Sequence, residues 1–171
     1  MTSNISRSQF LSGDFSGNNL PIRPPWALSE ELFIERCTRC SECVKACPYH
    51  LIKEGRGKFP IVDFSIAGCD FCRDCVNACE PGALNSDPDL ESTPWTLKAE
   101  ILSNCLSLNS IVCRACGDTC EERAITFKLE LGGVARPNLD RQACTGCGEC
   151  YAVCPIKSVT IKPEAPQEQA A

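Results

Sequence analysis

Sixteen cysteines in four runs constrain this chain of 171 residues more than any other feature. The first run is Cys37-Thr-Arg-Cys40-Ser-Glu-Cys43-Val-Lys-Ala-Cys47-Pro48, and the second Cys69-Asp-Phe-Cys72-Arg-Asp-Cys75-Val-Asn-Ala-Cys79-Glu-Pro81. The fourth, Cys144-Thr-Gly-Cys147-Gly-Glu-Cys150-Tyr-Ala-Val-Cys154-Pro155, has the same spacing. The third is irregular: Cys113-Arg-Ala-Cys116-Gly-Asp-Thr-Cys120, with Cys105 upstream and Ser110 where a first cysteine would stand. Thirty-two residues separate Cys37 from Cys69, and 75 separate Cys69 from Cys144, so a two-run lobe is duplicated.

This spacing has a mechanical reason. Three cysteines on a tight loop wrap one face of a [4Fe–4S] cubane, and the fourth, carried on the helix that follows, reaches the neighbouring cluster. Paired runs then exchange their fourth ligands. Cluster one takes Cys37, Cys40, Cys43 and Cys79; cluster two takes Cys69, Cys72, Cys75 and Cys47. Cluster three takes Cys105, Cys113, Cys116 and Cys154; cluster four takes Cys144, Cys147, Cys150 and Cys120. Four clusters use all sixteen thiols. Structural zinc favours two C-x2-C pairs across a longer loop, which these runs do not resemble. A disulfide scaffold needs an oxidising compartment and an export signal. The stretch Ser6-Arg7-Ser8-Gln9-Phe10-Leu11 comes near a twin-arginine signal, but the second arginine is missing and Ser-Gly-Asp-Phe-Ser-Gly follows where an apolar segment is needed. The expected location is the cytoplasm, where clustered cysteines hold metal.

The formal charge is −5 and the sequence pI near 5.0. Counting each cubane with its four thiolates as about −2 takes the loaded chain to about −13. Such a molecule meets partners through their basic patches and is no nucleic-acid binder. No apolar run approaches the roughly 18 residues of a membrane span. With no nucleophile–base pair and no phosphate loop, the residues describe an electron carrier rather than an enzyme.

The expected class is α+β: duplicated dicluster ferredoxin-like lobes, with short hairpins and helices around the clusters. The divisions are 1–28, an extended segment with Arg23-Pro24-Pro25-Trp26; 29–90, lobe one; 91–163, lobe two; and 164–171, a disordered tail. In lobe two, Trp95, Leu97, Ala99 and Ile101 alternate with polar residues, as do Ile125, Phe127, Leu129 and Leu131, the period of half-buried strands. Gly132-Gly133 turns a hairpin back through Val134, and Val159–Ile161 is a last strand. In lobe one, 29–36 reads as a helix capped by Ser29, and Gly55-Arg-Gly57 turns into 59–64. His50, the only histidine, reads as structural or solvated, and Trp26 as a packing anchor or part of a partner surface. Phe71 and Tyr151 flank ligand positions and exclude water. Arg36, Arg39 and Lys45 around run one are solvated charges that can raise the potential of cluster one.

The runs resemble those of bacterial dicluster ferredoxins over about 37–161. The Arg-Pro-Pro-Trp segment, the following Cys37-Thr-Arg-Cys40 and the third run with its distant Cys105 are similar to the NapF family. These are ferredoxin-type accessory proteins of the periplasmic nitrate reductase system. The resemblance implies a cytoplasmic protein that contacts the precursor of the nitrate reductase catalytic subunit and assists its maturation before export. A further partner is a redox protein. The alternative is an electron-transfer subunit of a larger quinol- or reductase-linked oxidoreductase.

Overall fold

Each cysteine run closes on the same local structure, and that repeat organises the chain. The computed structural model describes residues 21–85, 94–130 and 133–164. The near-signal at Ser6–Leu11 and the tail beyond Glu164 lie outside the described residues. The chain divides into two compact units, Met1–Asp63 with Phe71–Pro94, and Phe64–Asp70 with Trp95–Ala171.

The repeat begins at the fourth cysteine of each run. The N–H three residues on donates back to the cysteine carbonyl: His50 to Cys47, Gly82 to Cys79, Arg123 to Cys120 and Lys157 to Cys154, at 3.0 to 3.2 Å. All four donor residues hold φ between 50 and 68°. The next residue is sealed from solvent (Leu51, Ala83, Ala124 and Ser158), and the one after it, Ile52, Leu84, Ile125 or Val159, is buried and starts a strand or bridge. Each run therefore ends in a turn that sends the chain out along an extended segment.

In the first unit, helix α1 (Glu30–Arg36) buries Phe33 completely. Burying a side chain of that size contributes about 2–3 kcal/mol. Ser29 makes no side-chain cap; its carbonyl accepts the Phe33 N–H instead, and Glu30 and Glu31 favour the helix start through the macrodipole. One helical turn, α2 (Glu42–Ala46), completes run one. Strands β1 (Ile52–Glu54) and β2 (Pro60–Val62) pair antiparallel, Ile52 opposite Val62, across a 3-10 turn at Arg56–Lys58. Helix α3 (Asp74–Asn77) belongs to run two. The unit's outer pairing shrinks to one bridge, Ala27 with Leu84, flanked by the N–H of Leu28 on Ala83 O and that of Asn85 on Trp26 O. Pro24 and Pro25, both fully buried, have no N–H to extend it.

In the second unit that pairing is a full ladder. Strand β3 (Leu97–Ile101) runs antiparallel to β6 (Val159–Pro163), Ala99 opposite Ile161. Glu164, read from sequence with the tail, continues the pairing by donating to Thr96 O at 2.7 Å. Between them lie α4 (Ala115–Asp118), the hairpin of β4 (Ile125–Leu129) and β5 (Ala135–Leu139), and α5 (Glu149–Ala152). The β4–β5 loop is longer than two residues: Glu130 N–H reaches Val134 O, leaving 131–133 as the turn, of which Leu131 and Gly132 lie outside the described residues. Leu97, Ala99, Ala124, Ile125 and Val159 form this unit's apolar core.

Candidate metal centres

The loops of runs one, two and four alternate in hand. The residues two and four places after the first cysteine hold positive φ: Arg39 and Ser41, Phe71 and Arg73, Gly146 and Gly148. Loops of this kind turn successive N–H groups into an anion-binding concavity, which suits a cluster with a net negative charge. The backbone N–H groups of Arg39 and Glu149 accordingly favour the thiolates of Cys37 and Cys147. The helical turn starts between the second and third cysteines. Cys43, Cys75, Cys116 and Cys150 therefore sit inside the helices, and the fourth cysteine follows the helix end rather than riding on it.

A cavity of about 360 Å³, mouth included, opens in the first unit. Its sulfur-bearing lining is Cys37, Cys40, Cys43 and Cys79, set among Phe33, Pro60, Ala83 and Leu84. Burial pushes the Cys43 thiol up to about 12, and Cys79, Cys37, Cys75 and Cys40 push it the same way. Burial also raises Cys37, against the Arg39 N–H and the Arg23 guanidinium.

A second cavity, about 350 Å³, opens in the other unit and contains Cys105, Cys113, Cys116 and Cys154 beside Ile101, Phe127, Ile156 and Val159. Cys105 reaches it from the turn after β3, its N–H on Leu102 O at 3.0 Å. Asn109 holds that turn, its side-chain amide donating to Ser103 O at 2.9 Å and to Cys105 O at 2.8 Å. The buried Ser107 hydroxyl ties it to β5 through Ala135 O. Ser110 is exposed, in a left-handed turn, and is not in the lining. Burial, then Cys105, Cys113 and Cys154, push Cys116 up to about 11.

Cys144, Cys147, Cys150 and Cys120 form a third grouping. Burial pushes Cys150 up to about 12, and Cys147, Cys144, Cys116 and Cys120 add to it. Cys147 is raised by burial, with Cys120 and Cys144 contributing. Its loop is pinned to β3 and the segment before it: Lys98 donates to Cys144 O at 2.6 Å and Trp95 Nε1 to Thr145 O at 3.0 Å. Of the remaining cysteines, Cys47, Cys72 and Cys75 belong to the first unit. Cys69 belongs to the segment Phe64–Asp70 of the second, its N–H on Cys147 O at 2.8 Å.

Four thiols and an apolar wall form the donor set a cubane takes. Among the described residues no three Cys, His, Asp or Glu side chains converge as they would on a single ion. A zinc site needs four ligands within about 2.3 Å of one point. Thiols held at 11 to 12 are protonated until iron arrives, so cluster loading releases protons.

The other singled-out residues fall into place locally. His50 is exposed in its left-handed turn. Trp26 is a packing anchor: buried, edge-on to Phe71 with ring centroids 6.2 Å apart, and capped by the Arg73 guanidinium at 4.8 Å. Arg39 lies 5.2 Å over Phe59, and Tyr151 carries Lys157 at 4.8 Å from its ring. Two residues had no structural role assigned from the sequence. Arg23 forks onto Glu30 (2.9 and 2.6 Å) and donates to Pro60 O, its guanidinium 4.9 Å over Phe33. Ser158 contacts the sulfur of Cys154.

Two family models describing a 4Fe-4S dicluster domain match residues 34–84 and 111–158. The second begins after Cys105. The chain is 39% identical to the ferredoxin-type protein NapF of Escherichia coli strain K12, covering 95% of this chain and 97% of the relative. It is 40% identical to NapF of Haemophilus influenzae over 92% of this chain and 94% of the relative. The ferredoxin-type protein NapG of E. coli matches at 35%, over 82% of this chain and 69% of that protein. No helix among the described residues is long and apolar enough to cross a membrane. Two dicluster domains and sixteen cysteines make this an iron–sulfur electron-transfer protein with a complement of four [4Fe–4S] clusters, and the chain belongs to the NapF family of ferredoxin-type proteins.

Proposed function

We propose that the sixteen cysteines ligate the clusters in the exchanged sets given above, and that the loaded protein serves the maturation of the periplasmic nitrate reductase catalytic subunit in the cytoplasm. The observation that carries the ligand sets is the pair of cavities, each joining three cysteines of one stretch to the fourth cysteine of the paired run. Cys69, Cys72, Cys75 and Cys47 complete the scheme on spacing alone. When bound, each cluster accepts and gives up one electron. The chain's own part is to surrender the thiol protons, hold the sulfurs and keep water out with Phe33, Leu84, Phe127 and Val159. Backbone N–H groups are aimed at individual sulfurs.

The maturation role is supported by the resemblance to the NapF family over nearly the whole chain. A cytoplasmic location suits thiols that must stay reduced until loaded. The test is a pull-down with the tagged protein from cells with and without the catalytic-subunit precursor, paired with fractionation. Retention of the precursor by a cytoplasmic protein is expected. Binding only to the exported mature subunit, or recovery of the protein from the periplasm, contradicts the role. Capture of a quinol- or reductase-linked complex without the precursor favours the electron-transfer subunit instead.

A further inference from the structure

In every run the residue four places after the last cysteine is sealed from solvent: Leu51, Ala83, Ala124 and Ser158, none more than 2% exposed. Three are aliphatic. Ser158 alone brings a hydroxyl, and it lines the cavity that contains Cys154. Its N–H donates to Cys154 Sγ at 3.2 Å and its Oγ lies 3.4 Å from the same sulfur. A thiolate has no proton to give, so the hydroxyl must be the donor once the sulfur is a ligand.

We propose that Ser158 is a positioning residue that raises the reduction potential of the cluster held by Cys105, Cys113, Cys116 and Cys154. Added charge on a reduced cluster spreads onto its ligand sulfurs. A donor at one of them stabilises the reduced form more than the oxidised form. Ser158 is 1% exposed, so bulk solvent does not take the place of the hydroxyl when it is removed. Leu51, Ala83 and Ala124 give the other runs no such side-chain donor.

The proposal rests on the ligand sets above, and one titration separates the two. The holo-protein, its Ser158→Ala, Ser158→Thr and Ser158→Val variants, and Cys154→Ala are titrated anaerobically with dithionite under EPR, with iron counted in each. Thr and Val share a shape, so their difference reads the hydroxyl even where Ala disturbs packing. Ser158→Ala and Ser158→Val are expected to keep four clusters and to lower one midpoint, leaving three unmoved, while Ser158→Thr stays near the parent. Unchanged midpoints in both hydroxyl-free variants, or equal shifts in Thr and Val, overturn the proposal. Four intact clusters in Cys154→Ala overturn the ligand reading instead.

Discussion

At the scale of single residues, the cluster loops depend on backbone hand. Among the described residues ten non-glycine positions hold positive φ, and four of them, Arg39, Ser41, Phe71 and Arg73, lie in the loops of runs one and two. Each such residue costs about 1–2 kcal/mol of local conformational energy. Run four avoids that cost with Gly146 and Gly148, and there space is critical too. A Cβ on Gly146 would strike the Leu97 carbonyl, and one on Gly148 would enter the Phe64 ring. Gly146→Ala is therefore expected to lose the cluster at Cys144, Cys147 and Cys150 while the first unit keeps its own, read as iron per chain against the parent. Cys105 gives a second test. Cys105→Ala should lose or convert one cluster and Ser110→Ala should keep all four, as counted by iron, sulfide and EPR; four cubanes in Cys105→Ala would remove Cys105 from the ligand set. The cysteine spacing made the proposed ligand sets legible in the sequence, and the glycines hinted at run four. Nothing in Arg39, Ser41, Phe71 or Arg73 announced the same backbone, because it is imposed by the loop and not by residue preference. Ser158 was equally silent, since its role depends on the turn that folds it back onto Cys154.

Among the elements, the alternating strands of the second unit were readable from their period, but the partner of β3 was not. It pairs with β6, about sixty residues away, and only closure of the lobe fixes that register. In the first unit the equivalent edge is the proline segment, where rings block the ladder and side chains replace it. Arg23 does most of this, with side-chain exposure of 11% for itself and 14% for Glu30. Removing one partner of this part-buried, forked pair leaves the other charge behind without its partner, which destabilises the unit. Arg23→Ala should lower the temperature at which the holo-protein loses its visible absorbance. Arg23→Lys should recover little, since an ammonium cannot fork onto the carboxylate. Glu100 and Lys162, paired across β3 and β6 at 2.9 Å, are exposed by contrast. Lys162 lowers the Glu100 carboxyl, so the pair's small contribution is present above the ordinary carboxylate range and fades on acidification below it. Lys162→Ala should leave the melting temperature nearly unchanged.

For the whole molecule, the sulfurs replace much of what a larger aliphatic core would supply. Seven of the sixteen cysteines are buried, and two of the three sulfur groupings sit around cavities rather than close packing. Cluster binding is then folding free energy. Protein stripped of iron by a chelator is expected to lose its cooperative melting transition; a sharp, native-like transition without iron would contradict this. The central claim is that the chain holds four cubanes and no thiol is left over. Native mass spectrometry of the anaerobically reconstituted protein tests it directly, with free thiols counted on the same sample. The account predicts one dominant species carrying four [4Fe–4S] units and no alkylatable cysteine. A fully reconstituted species that stops at three units with Cys105 or any other thiol free, or one carrying zinc ions in their place, would contradict it.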